Sequence, residues 1–495
     1  MLWFALHLQA LPLEAWLCAS EAVGPGPAQR ACCVIDARRV LQANAAAREA
    51  GIEPGMSAAT AASLGAGLQA FTRDPSREAA QVQRLALALA RFTPNVVAQA
   101  DGVLLEVAAC LRLFHGARAL WRAVRETARE AGVASLRMAA APTATAAAVL
   151  ARAEPPSAAL RRLPVAQRLD ALPLPAAAEA WGIEPRLVEL LHGIGCRTLG
   201  DVRVLPRTGA QRRGAAALLG AIARAHGEAP DPQRWFELPR SFEQSLELAH
   251  RADDAAMLVF AAQRLVQPLA GWLAQQWLAA ARLSLLLRHE TSIRHAQPDT
   301  VVTLALGDPS RDAAQIALLL RERLQRLALP APVYAVTLRL DEAVSHAGRA
   351  AALWREAGAG NGEDARALFD RLAARLGPER VRRPVLAADH RPERAMALQP
   401  LHEEARARDV ATASTAPRPT WLLPQPQRLQ EDAAFGRPLH QGAPLVLATR
   451  AERIEAGWFD GELVSRDYHV AQAKDHRWLW VFRERQRWYL HGIFG

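Results

Sequence analysis

Residues 2–8 form an apolar run that is interrupted only by His7. A run of this length is too short to span a membrane and is typical of a buried strand. Pro12 then marks a first helical turn, and helical patterns with loops follow to about residue 75. Helix and strand patterns alternate from there to residue 141. The predicted helices are 57–64, 77–92 and 117–131, and the predicted strands are 103–110 and 136–141. Strands separated by helices predict an α/β sheet covered by helices.

The length and charge of the chain suggest several domains and a polyanionic partner. At 495 residues the chain is too long for a single core, and we expect about three to five compact units. The formal net charge of +10 favours nucleic acid, because basic side chains that neutralise phosphates release counterions. A basic surface that serves solubility is the alternative. Lys474 is the only lysine, so the positions of the arginines say more than their number.

Cysteine usage and the N-terminal sequence indicate a cytoplasmic protein. The five cysteines are odd in number and include no C-x-x-C pair, which fits free thiols and predicts no zinc site. The apolar N-terminal run lacks a basic region before it, so we expect no signal peptide. No uncharged apolar stretch of about eighteen residues occurs, so we expect no membrane span.

Residues 166–235 have a helical pattern, and a Gly-x-Gly turn joins two of the helices. The turn runs from Gly193 to Gly195, and Arg197 and Thr198 stand at the start of the following helix. Glycine permits tight backbone turns, and the N–H groups at a helix start can bind a phosphate. These four residues are therefore candidate DNA-binding residues of a helix-hairpin-helix motif. An ordinary helical hairpin with a glycine turn is the alternative.

The second half of the chain combines an α+β segment with a β-rich tail. The predicted strands 281–287, 301–306 and 333–340 and helices 254–275 and 312–328 suggest a small sheet with helices on one face. Residues 358–362 and 411–419 have the composition of linkers. The tail from Trp421 carries many aromatic residues on strand-like runs. Those side chains either form the core of a β-rich module or stack on a partner or on single-stranded nucleic acid.

The order of these segments resembles that of the Y-family translesion DNA polymerases. The tail adds the motifs WLLP (421–424), RIEAGWFDG (453–461) and WYLHGIF (488–494), with which the whole chain resembles the ImuB-type proteins of bacterial mutasomes. The resemblance implies a palm at 1–20 and 76–165, fingers at 21–75, a helix-hairpin-helix thumb at 166–235 and a little finger at 240–345. A linker and partner-binding region at 346–420 and a C-terminal β-rich interaction module at 421–495 would follow.

The resemblance also implies that the polymerase chemistry has been lost. Y-family polymerases carry Asp-x-Asp on their first strand, and the counterparts here are Ala5 and His7. Their second acidic motif, Ser-x-Asp-Glu, falls on residues 99–102, where Asp101 remains and Gly102 replaces the glutamate. Two magnesium ions that clamp a transferring phosphoryl group need several carboxylates. One aspartate is too few, so we expect no bound metal, no cofactor and no catalytic activity.

The nucleotide-binding residues implied by the resemblance are reduced in the same way. In the fingers motif, Arg48 persists as a remnant, whereas the triphosphate-binding tyrosine is replaced by Ala45. The aromatic gate against ribonucleotides falls on Ala10, and a lysine that binds the triphosphate falls on Ala144.

Other contacts are expected in the little finger and directly after it. Arg282, Arg288 and Arg339 are candidates for sequence-independent contacts with the DNA backbone. A short clamp-binding segment is expected next, and Leu353 and Trp354 are its candidate anchors, although the usual glutamine is missing. The alternative is that Trp354 packs on the helix beneath it.

Taken together, the resemblance implies a non-catalytic scaffold in damage-induced mutagenesis, associated with the nucleoid. The implied partners are primer-template DNA, the sliding clamp, an error-prone DNA polymerase of the α-subunit type and a RecA-like accessory protein. Two alternatives remain open. One is an active polymerase with rearranged metal ligands, such as His7 together with Asp101, and the other is a plain helix-hairpin-helix DNA-binding protein without a mutasome role.

Overall fold

The computed structural model describes residues 1–20, 30–64, 67–154, 162–290, 298–346, 359–377, 379–401, 417–432 and 435–495. The chain divides into two compact units, Met1–Arg375 and Leu376–Gly495. The predicted combination of mixed α/β architecture with a β-rich C-terminal part is confirmed. Within the described ranges, no helix combines the length and the apolar character that a membrane crossing requires.

The first part of unit 1 contains a central sheet with helices on both faces. Its elements are β1 (Trp3–Leu8), α1 (Leu11–Ser20), β2 (Cys32–Asp36), β3 (Arg39–Ala43), α2 (Ala45–Glu49), α3 (Ala58–Leu64), β4 (Gln69–Thr72), α4 (Pro75–Leu89), β5 (Val96–Gln99), β6 (Gly102–Glu106), α5 (Ala117–Glu130), β7 (Leu136–Ala141) and α6 (Ala144–Ala153). The palm sheet has the strand order β5-β6-β1-β7, and every neighbouring pair is antiparallel.

Strand β1 is apolar because both faces of the palm sheet are covered. Phe4, Leu6 and Leu8 pack with α4 and α5, whereas Trp3 and Ala5 pack with α6 and the helices that follow it. Successive side chains of a strand point to opposite faces, so a strand buried on both sides needs apolar residues throughout. The palm sheet is therefore held by two separate hydrophobic cores.

Two sequence predictions in this region are corrected. Strand β6 ends at Glu106 rather than at residue 110, because the Glu106 carboxylate accepts a hydrogen bond from Ala108 N at 3.1 Å and the chain turns there. The fingers contain a three-stranded sheet in the order β3-β2-β4, where the sequence predicted only helices and loops. These strands have only four or five residues each, too few to show a clear period.

The thumb is helical, and its helices are α7 (Val165–Asp170), α8 (Leu174–Ala180), α9 (Pro185–Gly193), α10 (Leu199–Val204), α11 (Arg207–Ala210) and α12 (Ala216–Ala225). A single π-helical turn, Gln211–Ala215, joins the last two. Helices α8 and α12 share the core of Trp3 and Ala5, so the thumb packs directly on the palm sheet.

The little finger is a four-stranded sheet with helices on one face. Its elements are β8 (Glu243–Ala252), α13 (Leu258–Gln276), β9 (Leu278–His289), β10 (Thr300–Ser310), α14 (Ala313–Leu324) and β11 (Val333–Ser345). The strand order is β10-β9-β11-β8, and all pairs are antiparallel. Strand β8 was not predicted from the sequence.

A helix follows the little finger where the sequence predicted a linker. Helix α15 (Ala359–Leu376) packs against the little finger: Asp370 accepts a hydrogen bond from Gly307 N at 3.0 Å, and Ala374 lies in the little-finger core. The alanine, arginine and leucine residues after position 363 favour a helix strongly enough to outweigh glycines in its first turns. The clamp candidates Leu353 and Trp354 lie outside the described residues.

The little finger packs closely against the palm. Helix α13 crosses α4 at Gly271, where a Cβ atom would overlap the carbonyl oxygen of Leu87. The guanidinium of Arg77, on α4, lies 4.1 Å from the ring centroid of Trp16 in α1 and forms an ion pair with Glu247 of β8. Backbones this close leave no room for a side chain, so the contact depends on glycine.

Unit 2 is built mainly from strands. These are β12 (Arg382–Leu386), β13 (Met396–Pro400), β14 (Trp421–Arg428), β15 (Gln430–Glu431), β16 (Pro438–His440), β17 (Ala443–Pro444), β18 (Val446–Leu447), β19 (Glu452–Ala456), β20 (Val464–Gln472), β21 (Trp478–Glu484) and β22 (Arg487–Ile493). The main sheet has the order β14-β22-β21-β20-β18, with β19 paired to β20, and β12 and β13 form a separate hairpin. Tyr468, Trp480, Phe482 and Trp488 are buried, so these aromatic residues form core, whereas Trp458 is exposed.

The crossing of α13 and α4 generates a stability prediction. Gly271→Ala is expected to lower the free energy of unfolding by about 1–3 kcal/mol, because a methyl group must force the two helices apart. The measurement is urea denaturation. Gly220→Ala, in the middle of α12, is the control. There the nearest atom to the added methyl is 3.5 Å away, at the end of the Arg224 side chain, so the free energy should stay unchanged or rise. Equal effects of both substitutions would contradict the tight crossing.

Candidate functional site

The palm positions at which the resemblance places acids come together at one end of the sheet. In the register between β1 and β6, His7 lies opposite Gly102 and Ala5 lies opposite Leu104. Asp101 lies in the turn between β5 and β6, directly before Gly102. His7, Asp101 and Gly102 are therefore neighbours, and Ala5 lies two residues further along β1 on the same face.

The carboxylate of Asp101 is bound by a guanidinium that the sequence analysis did not single out. Arg152, in the last turn of α6, donates from Nε to Oδ2 of Asp101 at 2.9 Å and from Nη2 to Oδ1. Nη2 also donates to Gln99 Oε1 at 2.9 Å. His7 Nδ1 lies 3.2 Å from Asp101 Oδ2. A bidentate arginine pair is among the stronger charge-assisted contacts, so the retained acid already has a cationic partner.

These contacts change the ionisation of Asp101. Burial alone would raise the pKa of this carboxyl, but the contacts with His7 and Arg152 outweigh it and hold the pKa well below its ordinary value. The group is therefore an ionised carboxylate whose charge is balanced by an arginine of the same chain.

A second arginine adds positive charge at this end of the sheet. Arg137 of β7 lies opposite His7 of the neighbouring strand β1. Its guanidinium donates hydrogen bonds to the carbonyl oxygen of Arg152 at 3.1 Å and to that of Glu154. The Arg152 guanidinium, which lies directly on the Asp101 carboxylate, opposes the approach of a divalent cation. Among the described residues, no group of three or more histidine, cysteine, aspartate or glutamate side chains is arranged to hold a metal ion.

The two other positions at which the resemblance places acids are tightly packed. A Cβ atom on Gly102 would overlap the carbonyl oxygen of Leu6, so no larger residue fits there unless the strands move. Ala5 is buried in the core with α6, with 1% of its surface exposed. Gly102 therefore has no space for a carboxylate in this packing, and a carboxylate at Ala5 would be buried among apolar side chains.

The predicted counterparts of the nucleotide-binding residues line a separate cleft between the predicted palm and fingers segments. Ala10, Ala45 and Arg48 line a cavity of about 1070 Å³, and Asp101 is not part of its lining. Arg48 Nε donates to the carbonyl oxygen of Ala43 at 3.0 Å, which orients its guanidinium locally. The assignment of Ala144 is corrected: it follows the end of β7 that pairs with Trp3, away from Asp101, and its side chain is buried.

The structure contains the predicted glycine turn between α9 and α10, but fewer of its backbone N–H groups are free than predicted. Gly195 has a φ of +96°, which requires glycine, whereas Gly193 ends α9. The N–H groups of Arg197 and Thr198 both donate to the carboxylate of Asp201 at 2.8 Å, and these backbone hydrogen bonds lower the pKa of Asp201. These two N–H groups are therefore not free to bind a phosphate, contrary to the prediction. The exposed Arg197 guanidinium is the remaining candidate at this turn.

The three little-finger arginines are exposed on strands β9 and β11. Arg339 Nε lies 2.8 Å from Asp341 Oδ1, and Arg282 Nη1 lies 3.4 Å from Glu342 Oε1. Arg288 has no ion-pair partner in the described part of the chain, so it offers the least compensated positive charge of the three.

Comparison with known proteins tests the predicted resemblance. Residues 20–152 match the family model described as impB/mucB/samB family. Protein ImuB of Caulobacter vibrioides is 29% identical over 492 residues, which cover 90% of this chain and 100% of the relative, and two strains give the same match. The resemblance to ImuB-type proteins is confirmed.

Solved structures with a similar fold include DinB from Sulfolobus solfataricus, with 16% identity and a TM-score of 0.36. A ternary complex of Dbh also matches, with 16% identity and a TM-score of 0.37. Each match covers 70% of this chain and 99% of the solved chain.

The ion pair of Asp101 generates a pH prediction. A carboxyl whose pKa is lowered by folding stabilises the fold above its unfolded pKa of about 3.9, and this contribution is lost as the pH falls through the folded value. Arg152→Met removes most of the cause. We therefore expect the difference in free energy of unfolding between wild type and Arg152→Met to be largest near pH 6 and to shrink toward pH 3 in urea denaturation. In an Asp101→Asn background the same comparison should not vary with pH. A constant difference in the wild-type background would contradict the ion pair.

Proposed function

We propose that this chain is a non-catalytic DNA-binding scaffold for translesion synthesis after DNA damage. The observation that carries the proposal is the Arg152 guanidinium on Asp101, at the position where a polymerase of this type would need carboxylates free to bind metal. Because Arg152 neutralises the one remaining palm aspartate, that aspartate is not available as a magnesium ligand.

The packing argues against a polymerase with rearranged ligands. Such an enzyme would have to use His7 and Asp101, but Arg152 already occupies Asp101, and magnesium prefers oxygen ligands to imidazole. Each stabilising group lost around developing charge costs roughly 2.7–4 kcal/mol of activation free energy. With Ala5 and Gly102 in place of acids, the sum of such losses exceeds what an active enzyme can tolerate.

Binding of primer-template DNA is the retained activity in this proposal. It is supported by the net charge of +10, by the exposed arginines of the thumb and little finger, and by similarity to Protein ImuB over 90% of the chain. The locked junction of α13 and α4 would hold the little finger at a fixed distance from the palm, so the two could contact one duplex without a prior domain rearrangement.

The partners follow from the same proposal. The chain would link an error-prone polymerase of the α-subunit type, a RecA-like accessory protein and the sliding clamp at lesions on the nucleoid. The two compact units fit this division, since separate surfaces on one chain raise the effective concentration of each partner without tight individual contacts. Leu353 and Trp354 stay the proposed clamp anchors.

Primer extension tests the absence of catalysis. Purified chain with primer-template DNA, all four nucleotides and either Mg²⁺ or Mn²⁺ should incorporate no nucleotide, because no pair of metal ions can be held. Asp101→Ala, purified in parallel, is the control for contaminating polymerases and should give the same background. Incorporation by the wild type that disappears in Asp101→Ala would refute the scaffold proposal in favour of the enzyme.

Salt dependence tests the DNA-binding part. Affinity for primer-template DNA should fall steeply between low and moderate salt, as counterion release requires. Arg288→Ala should reduce the slope of log affinity against log salt by about one unit if this side chain neutralises one phosphate. Arg282→Ala is the matched control, with a smaller expected change because Glu342 offsets its charge. An affinity that does not vary with salt would rule out the electrostatic mode.

A further inference from the structure

The loop between β19 and β20 in unit 2 exposes a cluster of large apolar side chains. Trp458 is 80% exposed, Phe459 64% and Leu463 67%. The two aromatic rings meet edge to face, with centroids 5.7 Å apart and planes at 88°. We call residues 457–463 the aromatic loop. Three neighbouring large apolar residues in water are costly for a small module unless something covers them.

The aromatic loop is braced from beneath by a buried arginine. Arg391, in the connection between β12 and β13, has 2% of its side chain exposed. Its Nη2 lies 2.6 Å from Asp460 Oδ2 and 2.7 Å from Asp389 Oδ2, and its Nη1 donates to Asp460 Oδ1 at 3.2 Å. Its guanidinium also lies 5.7 Å from the ring centroid of Phe459. A buried guanidinium that binds carboxylates along its edges and lies near the Phe459 ring holds the loop in one shape.

Two further contacts fix the ends of the aromatic loop. Arg394 donates to Asp460 Oδ2 at 2.9 Å and to the carboxylate of Glu462. Gly457 has a φ of +85°, and a Cβ atom there would overlap the carbonyl oxygen of Glu462, so the loop closes tightly on itself. Solvated loops do not need such support. Rigid support under exposed aromatic residues is what a binding surface gains from, since less entropy is lost when a partner binds.

The charges around the loop discriminate between classes of partner. Two guanidiniums, Arg391 and Arg394, face three carboxylates, Asp389, Asp460 and Glu462, which leaves one net negative charge. The Glu462 side chain is 65% exposed. A negative rim repels the phosphates of nucleic acid, and perpendicular rings do not form the parallel platform on which successive bases stack.

We propose that the aromatic loop is a preformed anchor for a protein partner with a concave apolar pocket bordered by arginine or lysine. The protruding Trp458 and Phe459 would fill the pocket, and Glu462 would face its basic border. The proposal rests on the scaffold function and names the surface of unit 2 through which one of the mutasome proteins is held.

The test uses the full chain and the purified polymerase, accessory protein and clamp of the same bacterium, with affinities measured by biolayer interferometry. The double substitution of Trp458→Ala and Phe459→Ala should weaken the binding of one of these proteins by about 30-fold or more, which is the loss expected of central aromatic anchors. Phe435→Ala is the matched control: Phe435 is 76% exposed in the same unit, also beneath an arginine, and its loss should leave that affinity unchanged.

Two more variants test the brace and the charge. Arg391→Met keeps the aromatic residues but releases the loop, so binding should weaken by a smaller factor while circular dichroism reports on folding. Glu462→Gln should slow association and reduce its salt dependence, as expected when one rim charge is lost. These effects separate a binding surface from a merely structural loop.

The outcomes are distinct. Wild type and the double variant binding all three proteins equally would refute the anchor but leave the scaffold intact, whereas a wild-type chain that binds none of them would refute both. Oligonucleotide binding that is lost in the double variant would refute the protein pocket in favour of nucleic acid, and self-association that is lost in the double variant would refute it in favour of a second copy.

Discussion

The ion pair between Asp101 and Arg152 sets the electrostatic character of the palm. It depends on the course of α6, which starts at the end of β7 and returns along the sheet until its last turn reaches the β5–β6 turn. Arg137, on the neighbouring strand, supports the same arrangement by holding the carbonyl oxygens at the end of α6. The positive charge at this end of the sheet is thus supplied by arginine side chains of the chain itself.

The sequence predicted those elements that have long or strongly apolar patterns. Strand β1 followed from its apolar run, and β7 was predicted with its observed bounds because a helix and Pro142 delimit it. The short strands of the fingers and β8 were missed because four or five residues, or a strand rich in polar residues, give no clear period. The glycines at the start of helix α15 are typical of a linker, whereas the alanine, leucine and arginine residues that follow them favour the helix.

For the candidate site, the sequence predicted which carboxylates are absent but not which residue binds the remaining one. The positions of Ala5, His7, Asp101 and Gly102 could be assigned from motifs, but the role of Arg152 could not, because its partner lies 51 residues away in sequence. The one signal for this contact is the expectation that α6 runs antiparallel to β7, which brings the end of α6 back toward Asp101. In the thumb, Asp201 stands three residues after Thr198, the spacing at which an acid competes for the N–H groups assigned to phosphate.

The close approach of β1 and β6 at Gly102 limits which residues this position accepts. A side chain there would have to push the two strands apart, so a substitution such as glutamate would be selected against through its effect on folding, whatever its chemical effect. An additional acid at this end of the sheet would therefore require concerted changes in both strands and at Arg152. Exposed positions carry no such constraint, so the surface can diversify while this packed end of the sheet stays the same.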